Sequence, residues 1–233
     1  MANWSATLAT LGALVRPQSL QPSLVVPSIA HLDWHALKHR AHVHAVVIDK
    51  DNCIARPDED TLADDDALRA SWDRLLAEFG PDRVLVVSNS AGDLRKDPLR
   101  IQAETVSRNL GVPVLVHSNP KPAYACAKQI AAHFLLAPNS TDRSVADDVS
   151  GSDGALSSTP PPPPPSSVFR VLVIGDRLTT DMILARRLSS LSLPFSTRRS
   201  VGILTTRLWG REGAGTTLMR TVEKMAVRAF EKR

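Results

Sequence analysis

Residues 45–53 read Ala45-Val46-Val47-Ile48-Asp49-Lys50-Asp51-Asn52-Cys53. Four apolar residues, three of them β-branched, run directly into a charged stretch. The run reads as a short buried strand that ends at Asp49. The same pattern returns four times. Val84-Leu85-Val86-Val87 ends at Ser88, and Val114-Leu115-Val116 ends near His117. Val171-Leu172-Val173-Ile174 ends at Gly175-Asp176, and Val201-Gly202-Ile203-Leu204 closes the series. Helical segments separate these runs. Asp64 to Phe79 carries Leu68, Trp72, Leu75, Leu76 and Phe79 on one face. Leu99 to Leu110, Ala123 to Leu135 and Met182 to Ser190 read the same way. Strands alternating with helices imply parallel pairing through right-handed crossovers. The expected fold is α/β, a doubly wound, Rossmann-like parallel sheet of about five strands.

Composition narrows the classes. With 233 residues, 43% hydrophobic and 22% charged, the chain can build one compact core. Two cysteines, Cys53 and Cys126, form neither a disulfide framework nor a four-cysteine zinc site. Neither has an arginine six positions later, so a cysteine-nucleophile phosphatase loop is absent. No apolar stretch reaches the ~18 residues of a membrane span. A formal charge of +4 fits an anionic partner.

The flanks differ from the centre. Residues 1–32 hold no Asp or Glu, and Trp4, Leu8, Leu11 and Val15 recur at helical spacing. A packing helix, an interfacial membrane helix and a cleaved transit peptide all remain open there. Residues 137–167 are rich in Ser, Asp, Gly and Pro, with six prolines from Pro160 to Pro165. This segment reads as a disordered surface insertion, with a ligand for a proline-binding module as the alternative. Thr216 to Arg233 is a basic amphipathic helix candidate. Its basic face suits either solvent or an anionic membrane. The expected organisation is an N-terminal amphipathic, membrane-associating segment at 1–40 and a single domain from 41–136 and 168–233.

Chemistry concentrates at the strand ends, where ligands bind in open α/β sheets. Asp49 and Asp51 stand two residues apart, suited to a hard cation and a phosphate. Asp49 would be the nucleophile and Asp51 the general acid and base. Ser88-Asn89-Ser90 follows the second strand, where a hydroxyl can hydrogen-bond a phosphoryl oxygen, and Ser88 and Asn89 are the candidate phosphate binders. Lys121, between Pro120 and Pro122, offers a cation that would neutralise the transferring group. Asp176 and Asp181 return to the same crevice. Mg²⁺ would take Asp49, Asp176, the Asp51 carbonyl, and Asp181 directly or through water. Each feature alone has a plainer reading: a surface acid pair, a turn, a solvated lysine, a helix cap at Thr180 or Asp181. Lys50 is expected to point away from its acidic neighbours and takes no role. Cys53 and Cys126 are read as packing residues, and His42, His44 and His117 are not assigned as ligands.

In order, DKDNC at 49–53, VVSNSAG at 86–92, Lys121-Pro122 and GDRLTTD at 175–181 resemble the haloacid dehalogenase phosphatase superfamily, subfamily IIIA. PSLVVPSI at 22–29, PVLVHS at 113–118 and WGREGAGTTLMRTVEKMAVR at 209–228 extend the likeness. Together they resemble the mitochondrial phosphatidylglycerophosphatases of fungi. That resemblance implies removal of the terminal phosphate from phosphatidylglycerophosphate on the way to cardiolipin, at the matrix side of the inner membrane. It implies Asp49 as nucleophile, Asp51 as acid and base, Ser88 and Lys121 as phosphate binders, and Asp176 and Asp181 at a Mg²⁺ site. The family often carries a lysine where this chain has Pro120.

Spacing bears on the substrate. Asp51 to Val84 and Ser88 to Val114 each leave room for one helix, so no cap domain is expected. An open crevice suits a large or membrane-embedded substrate and peripheral membrane contact. A phosphoprotein or soluble phosphate ester is the rival substrate, and a non-catalytic phosphate-binding scaffold the rival class. Nucleic acid is not expected, because aromatic residues are only 4% of the chain and no reader motif occurs. The terminal apolar faces would also suit a homo-oligomer.

Overall fold

The computed structural model describes residues 21–136, 169–191 and 198–210. The expected N-terminal helix at 4–15, the insertion at 137–167 and the basic helix at 216–233 lie outside these residues.

Five strands form one all-parallel sheet: β1 (Leu24–Val26), β2 (Ala45–Ile48), β3 (Val84–Val86), β4 (Phe169–Gly175) and β5 (Arg198–Thr205). Their order is β1-β5-β4-β2-β3. The helices are α1 (Trp34–His39), α2 (Asp66–Phe79), α3 (Ile101–Leu110), α4 (Tyr124–Leu136) and α5 (Ile183–Ser190). Alternation along each strand divides the core in two. Val46, Ile48, Val84, Val86, Leu172 and Ile174 face Trp34, Leu68, Trp72, Leu75 and Val106, from α1, α2 and α3. Ala45, Val47, Leu85, Val171 and Val173 face Cys126, Ile130, Phe134, Leu184 and Leu188, from α4 and α5. Burial on both faces explains why the central strands read as continuous apolar runs.

The strand count matches the expectation, but its membership differs. Val114–Val116 is not a strand. Val114 makes one parallel bridge to Val86, held by Val86 N to Pro113 O (3.0 Å) and Leu115 N to Val86 O (2.9 Å). His117 N then bonds Gly92 O at 2.8 Å, so the segment shares its hydrogen bonds between β3 and the loop beyond it. The fifth strand is β1, which pairs Leu24 with Ile203. The sequence pattern groups residues 24–39 with the N-terminal segment at 1–40; in the structure they form the edge strand and α1, with Val26, Ile29 and Trp34 in the core.

The sequence reverses direction between β2 and β4. One half winds outward through β3, the other through β5 and β1. This switch point opens a crevice at the carboxyl ends of β2 and β4.

Candidate active site

β2 ends where Asp49 N bonds Ile174 O at 2.9 Å, placing Asp49 at the switch point. Beyond it the backbone turns sharply. Cys53, Ile54 and Ala55 all donate to the Lys50 carbonyl, at 3.3, 3.1 and 3.0 Å. Asn52 takes a left-handed φ of 58°, where Asn is among the better tolerated residues. Its Oδ1 accepts from Trp209 N (3.2 Å) and Gly210 N (3.0 Å), and Trp209 Nε1 donates to Cys53 O (3.0 Å). The segment after β5 therefore braces the turn that carries Asp49 and Asp51.

Lys121 is buried in the crevice. Its Nζ lies 2.7 Å from Asp49 Oδ1 and 2.8 Å from Asp181 Oδ1. Burial would lower its pKa, but the Asp181 and Asp49 charges outweigh that and raise it. Asn89 fixes the lysine's backbone: Lys121 N donates to Asn89 Oδ1 (2.7 Å), and Asn89 Nδ2 donates to Lys121 O (3.2 Å). The sequence placed Asn89 among phosphate binders. In the structure both ends of its side-chain amide are engaged with the Lys121 backbone, which helps to set where that side chain begins. The Lys121–Pro122 peptide is cis.

Asp176 and Asp181 complete the cluster. One carboxylate oxygen from each of Asp49, Asp176 and Asp181 lies within 4.8 Å of the other two. Asp181 sits in a π-helical turn, Leu178–Met182, rather than capping a helix. Its Oδ2 accepts from Arg177 N and Thr180 Oγ1, both at 3.2 Å. Gly175 makes room for it: a Cβ there would lie 2.1 Å from Asp181 Cγ. Three buried carboxylates face one lysine. Burial, followed by the Asp181, Asp176 and Asp51 charges, pushes the Asp49 carboxyl well above its ordinary value despite Lys121. An uncompensated cluster of oxygen ligands of this kind fits a hard divalent cation.

Asp51 stands beside this cluster. Ser88 Oγ and Ser90 Oγ donate to its Oδ2 at 3.1 and 2.5 Å. Lys50 contradicts the expectation. Its fully buried Nζ lies 2.5 Å from Asp51 Oδ1 and donates to Glu59 O at 2.8 Å. Burial raises the Asp51 pKa, but the Lys50 ammonium and the Lys50, Ser90 and Ser88 hydrogen bonds bring it below its usual value. His117 Nε2 lies 2.8 Å from Ser88 O and holds the end of β3. Ser90 and Lys50 are the site residues that the sequence reading missed. Ser90 lay in the quoted SNSAG turn, and Lys50 between the two acids.

A family model described as mitochondrial PGP phosphatase matches residues 4–146. The mitochondrial phosphatidylglycerophosphatase of Saccharomyces cerevisiae is 32% identical over 188 residues, 81% of this chain and 84% of the yeast protein. The probable mitochondrial phosphatidylglycerophosphatase of Schizosaccharomyces pombe is 30% identical over 148 residues, 64% of this chain and 57% of its own. A chloroplastic phosphatidylglycerophosphate phosphatase of Chlamydomonas reinhardtii is 39% identical over 113 residues, 48% and 40% of the two chains. No solved structure matches. The family match spans β2, β3 and the Lys121 segment, and the yeast likeness covers four-fifths of the chain, so this chain belongs to the mitochondrial PGP phosphatase family.

Proposed function

We propose that the chain is a Mg²⁺-dependent phosphatidylglycerophosphatase of the haloacid dehalogenase type. It would remove the terminal phosphate of phosphatidylglycerophosphate at the matrix face of the mitochondrial inner membrane, on the route to cardiolipin. The observation that carries this reading is the convergence of Asp49, Lys121, Asp176 and Asp181 at the sheet's switch point. The mitochondrial relatives named for this activity support it.

An Asp49 carboxylate oxygen attacks phosphorus in line, and the bond from phosphorus to the glycerol oxygen breaks. Asp51 gives a proton to that oxygen. It then takes a proton from the water that attacks the aspartyl-phosphate, releasing inorganic phosphate and regenerating Asp49. Lys50 and the two serines favour ionised Asp51, the state needed to activate water. Negative charge from a bound phosphate raises the Asp51 pKa and favours loading it for the first step. Lys121 balances charge on the transferring group. Asp49, Asp176, Asp181 and the Asp51 carbonyl would hold Mg²⁺, which would supply Lewis-acid polarisation of the phosphoryl oxygens.

The connection from Asp51 to β3 contains one α-helix, α2, and that from Ser88 to α4 contains α3. We read the crevice as uncapped, with water excluded by the lipid and the bilayer surface. Among the described residues no helix is long and apolar enough to cross a membrane, which suits peripheral association.

The test is phosphate release from phosphatidylglycerophosphate in mixed micelles and from a soluble aryl phosphate, with and without Mg²⁺. Mg²⁺-dependent release favouring the lipid is expected. Turnover of the aryl phosphate alone would keep the chemistry and overturn the substrate. Turnover of neither would leave a phosphate-binding scaffold.

A further inference from the structure

We propose that the rim of this crevice, led by the loop at 95–101, docks on an anionic phospholipid bilayer. The inference rests on the lipid-phosphatase reading above and names the surface that brings the crevice to its substrate.

The large exposed apolar side chains are not scattered. Among the described residues there are six, and two of them, Leu24 and Val25, lie on edge strand β1. The other four are Leu99 (75% exposed), Ile101 (63%), Tyr124 (51%) and Leu208 (40%). All four stand at the carboxyl edge of the sheet. Leu99 and Ile101 join β3 to α3, Tyr124 opens α4 just after Lys121, and Leu208 follows β5. The strand order puts the β3 and β5 ends on opposite sides of the β2–β4 crevice. Apolar side chains thus flank the reacting centre on both sides. A single exposed leucine needs no explanation, but apolar groups gathered around an active crevice mark an interaction surface.

Charge identifies the partner. Arg95, Lys96 and Arg100 are exposed within the same loop. The two acids of the β3–α3 connection, Asp93 and Asp97, turn inward. Asp93 is buried and holds Arg95 Nε at 2.9 Å and Arg95 Nη2 at 2.5 Å. Asp97 is buried and accepts from the amides of Gly92, Gln102 and Ala103 at 3.1, 3.2 and 2.8 Å. These bonds also stiffen the loop, so Leu99 and Ile101 are presented on a preformed support. Glu104, one turn into α3, is the nearest opposing charge along the chain. The acidic stretch after β2 stands off from Leu99 and Ile101: Asp60 O accepts from Asn109 at 3.0 Å, and Asn109 lies eight residues beyond Ile101, about 12 Å along α3. Glu59 is paired with Arg56 at 3.6 Å. Beside Leu208, on the other flank, Asp65 is paired with Arg207 at 2.8 Å. On the other flank Arg187 lies over the Tyr124 ring at 4.5 Å. Apolar tips interleaved with cations match the acyl–headgroup boundary of an anionic leaflet. A lipid whose acyl chains stay in the bilayer can then present its phosphate to Asp49.

The test uses the full chain, with Leu99→Glu/Ile101→Glu and Lys96→Glu/Arg100→Glu double variants and circular dichroism melts to check folding. Flotation is measured with phosphatidylglycerol–phosphatidylcholine vesicles and with pure phosphatidylcholine vesicles. Turnover is measured on vesicle-embedded phosphatidylglycerophosphate and on soluble aryl phosphate. The wild type should float with anionic vesicles. Each variant should lose binding and vesicle turnover, on the order of tenfold or more from loss of apolar burial or headgroup attraction. Aryl phosphate turnover should stay within about twofold, since neither pair lies in the catalytic cluster. Wild-type protein that does not float, or folded variants that float and turn over like wild type, would overturn the inference. The second outcome would place the contact in other segments or a partner protein. Anionic-vesicle binding lost in the variants, with no lipid turnover even in wild type, would uphold the surface and overturn the substrate reading.

Discussion

At the scale of single residues, the Lys50–Asp51 pair makes the sharpest prediction. Lys50 is fully buried, and its ammonium holds Asp51, the proposed general acid–base. Lys50→Met leaves Asp51 without its cation and should cost about 3 kcal/mol in urea denaturation, as for other broken buried pairs. Unchanged stability would contradict the pair's structural role. Asp93 supplies a pH dependence. Burial raises its pKa, but the Arg95 hydrogen bonds and charge more than offset that, so the carboxyl sits below its usual value. A depressed carboxyl contributes stability that is complete above the unfolded value of about 4 and is lost as pH falls through the lower folded value. Asp93→Asn should therefore destabilise by about 2 kcal/mol at pH 7, and the gap from wild type should shrink below about pH 4. The sequence located both acids beside Lys50 but misplaced the lysine. Strand alternation does not extend past Ile48 to Lys50. The strand ends at Ile48, and the turn at 50–55, with Asn52 at φ 58°, sends Lys50 back onto Asp51.

At the scale of elements, the junction between β4 and the π-helical turn is the most constrained. Gly175→Ala would drive a Cβ to 2.1 Å from Asp181 Cγ. The carboxylate must move, and kcat/KM should fall at least about a hundredfold, as for a displaced catalytic group. Activity within a few-fold of wild type would mean that Asp181 is not needed where it stands. β2, β3 and β4 were legible because burial on both faces leaves uninterrupted apolar runs. β1 was not. It is three residues long, preceded by Pro22 and followed by Pro27, and its partner β5 lies far along the chain. Val114–Val116 has strand composition, yet β3 is too short to pair with all of it. Composition signals burial; it does not say how many ladder bonds a neighbour can supply.

At the scale of the whole molecule, the sheet's switch point gathers residues scattered from Asp49 to Asp181 into one charged cluster. Their order along the chain was readable as strand ends. Their charge imbalance was not, because it needs the three carboxylates and the lysine in one place. If Mg²⁺ relieves that imbalance, it should raise the melting temperature of the wild type and leave Asp176→Asn unshifted. A shift of equal size in both would place the ion elsewhere. Core burial pushes the Cys126 thiol up to about 12 and the Cys53 thiol well above its usual value. Both should resist thiol reagents at neutral pH until the sheet opens, so that labelling reports unfolding. The account as a whole turns on Asp49. The most direct measurement is Mg²⁺-dependent phosphate release from phosphatidylglycerophosphate by wild type and by folded Asp49→Asn. Release by the wild type and a loss of at least about a thousandfold in the variant is the predicted result. Release that survives the substitution would contradict the proposed chemistry.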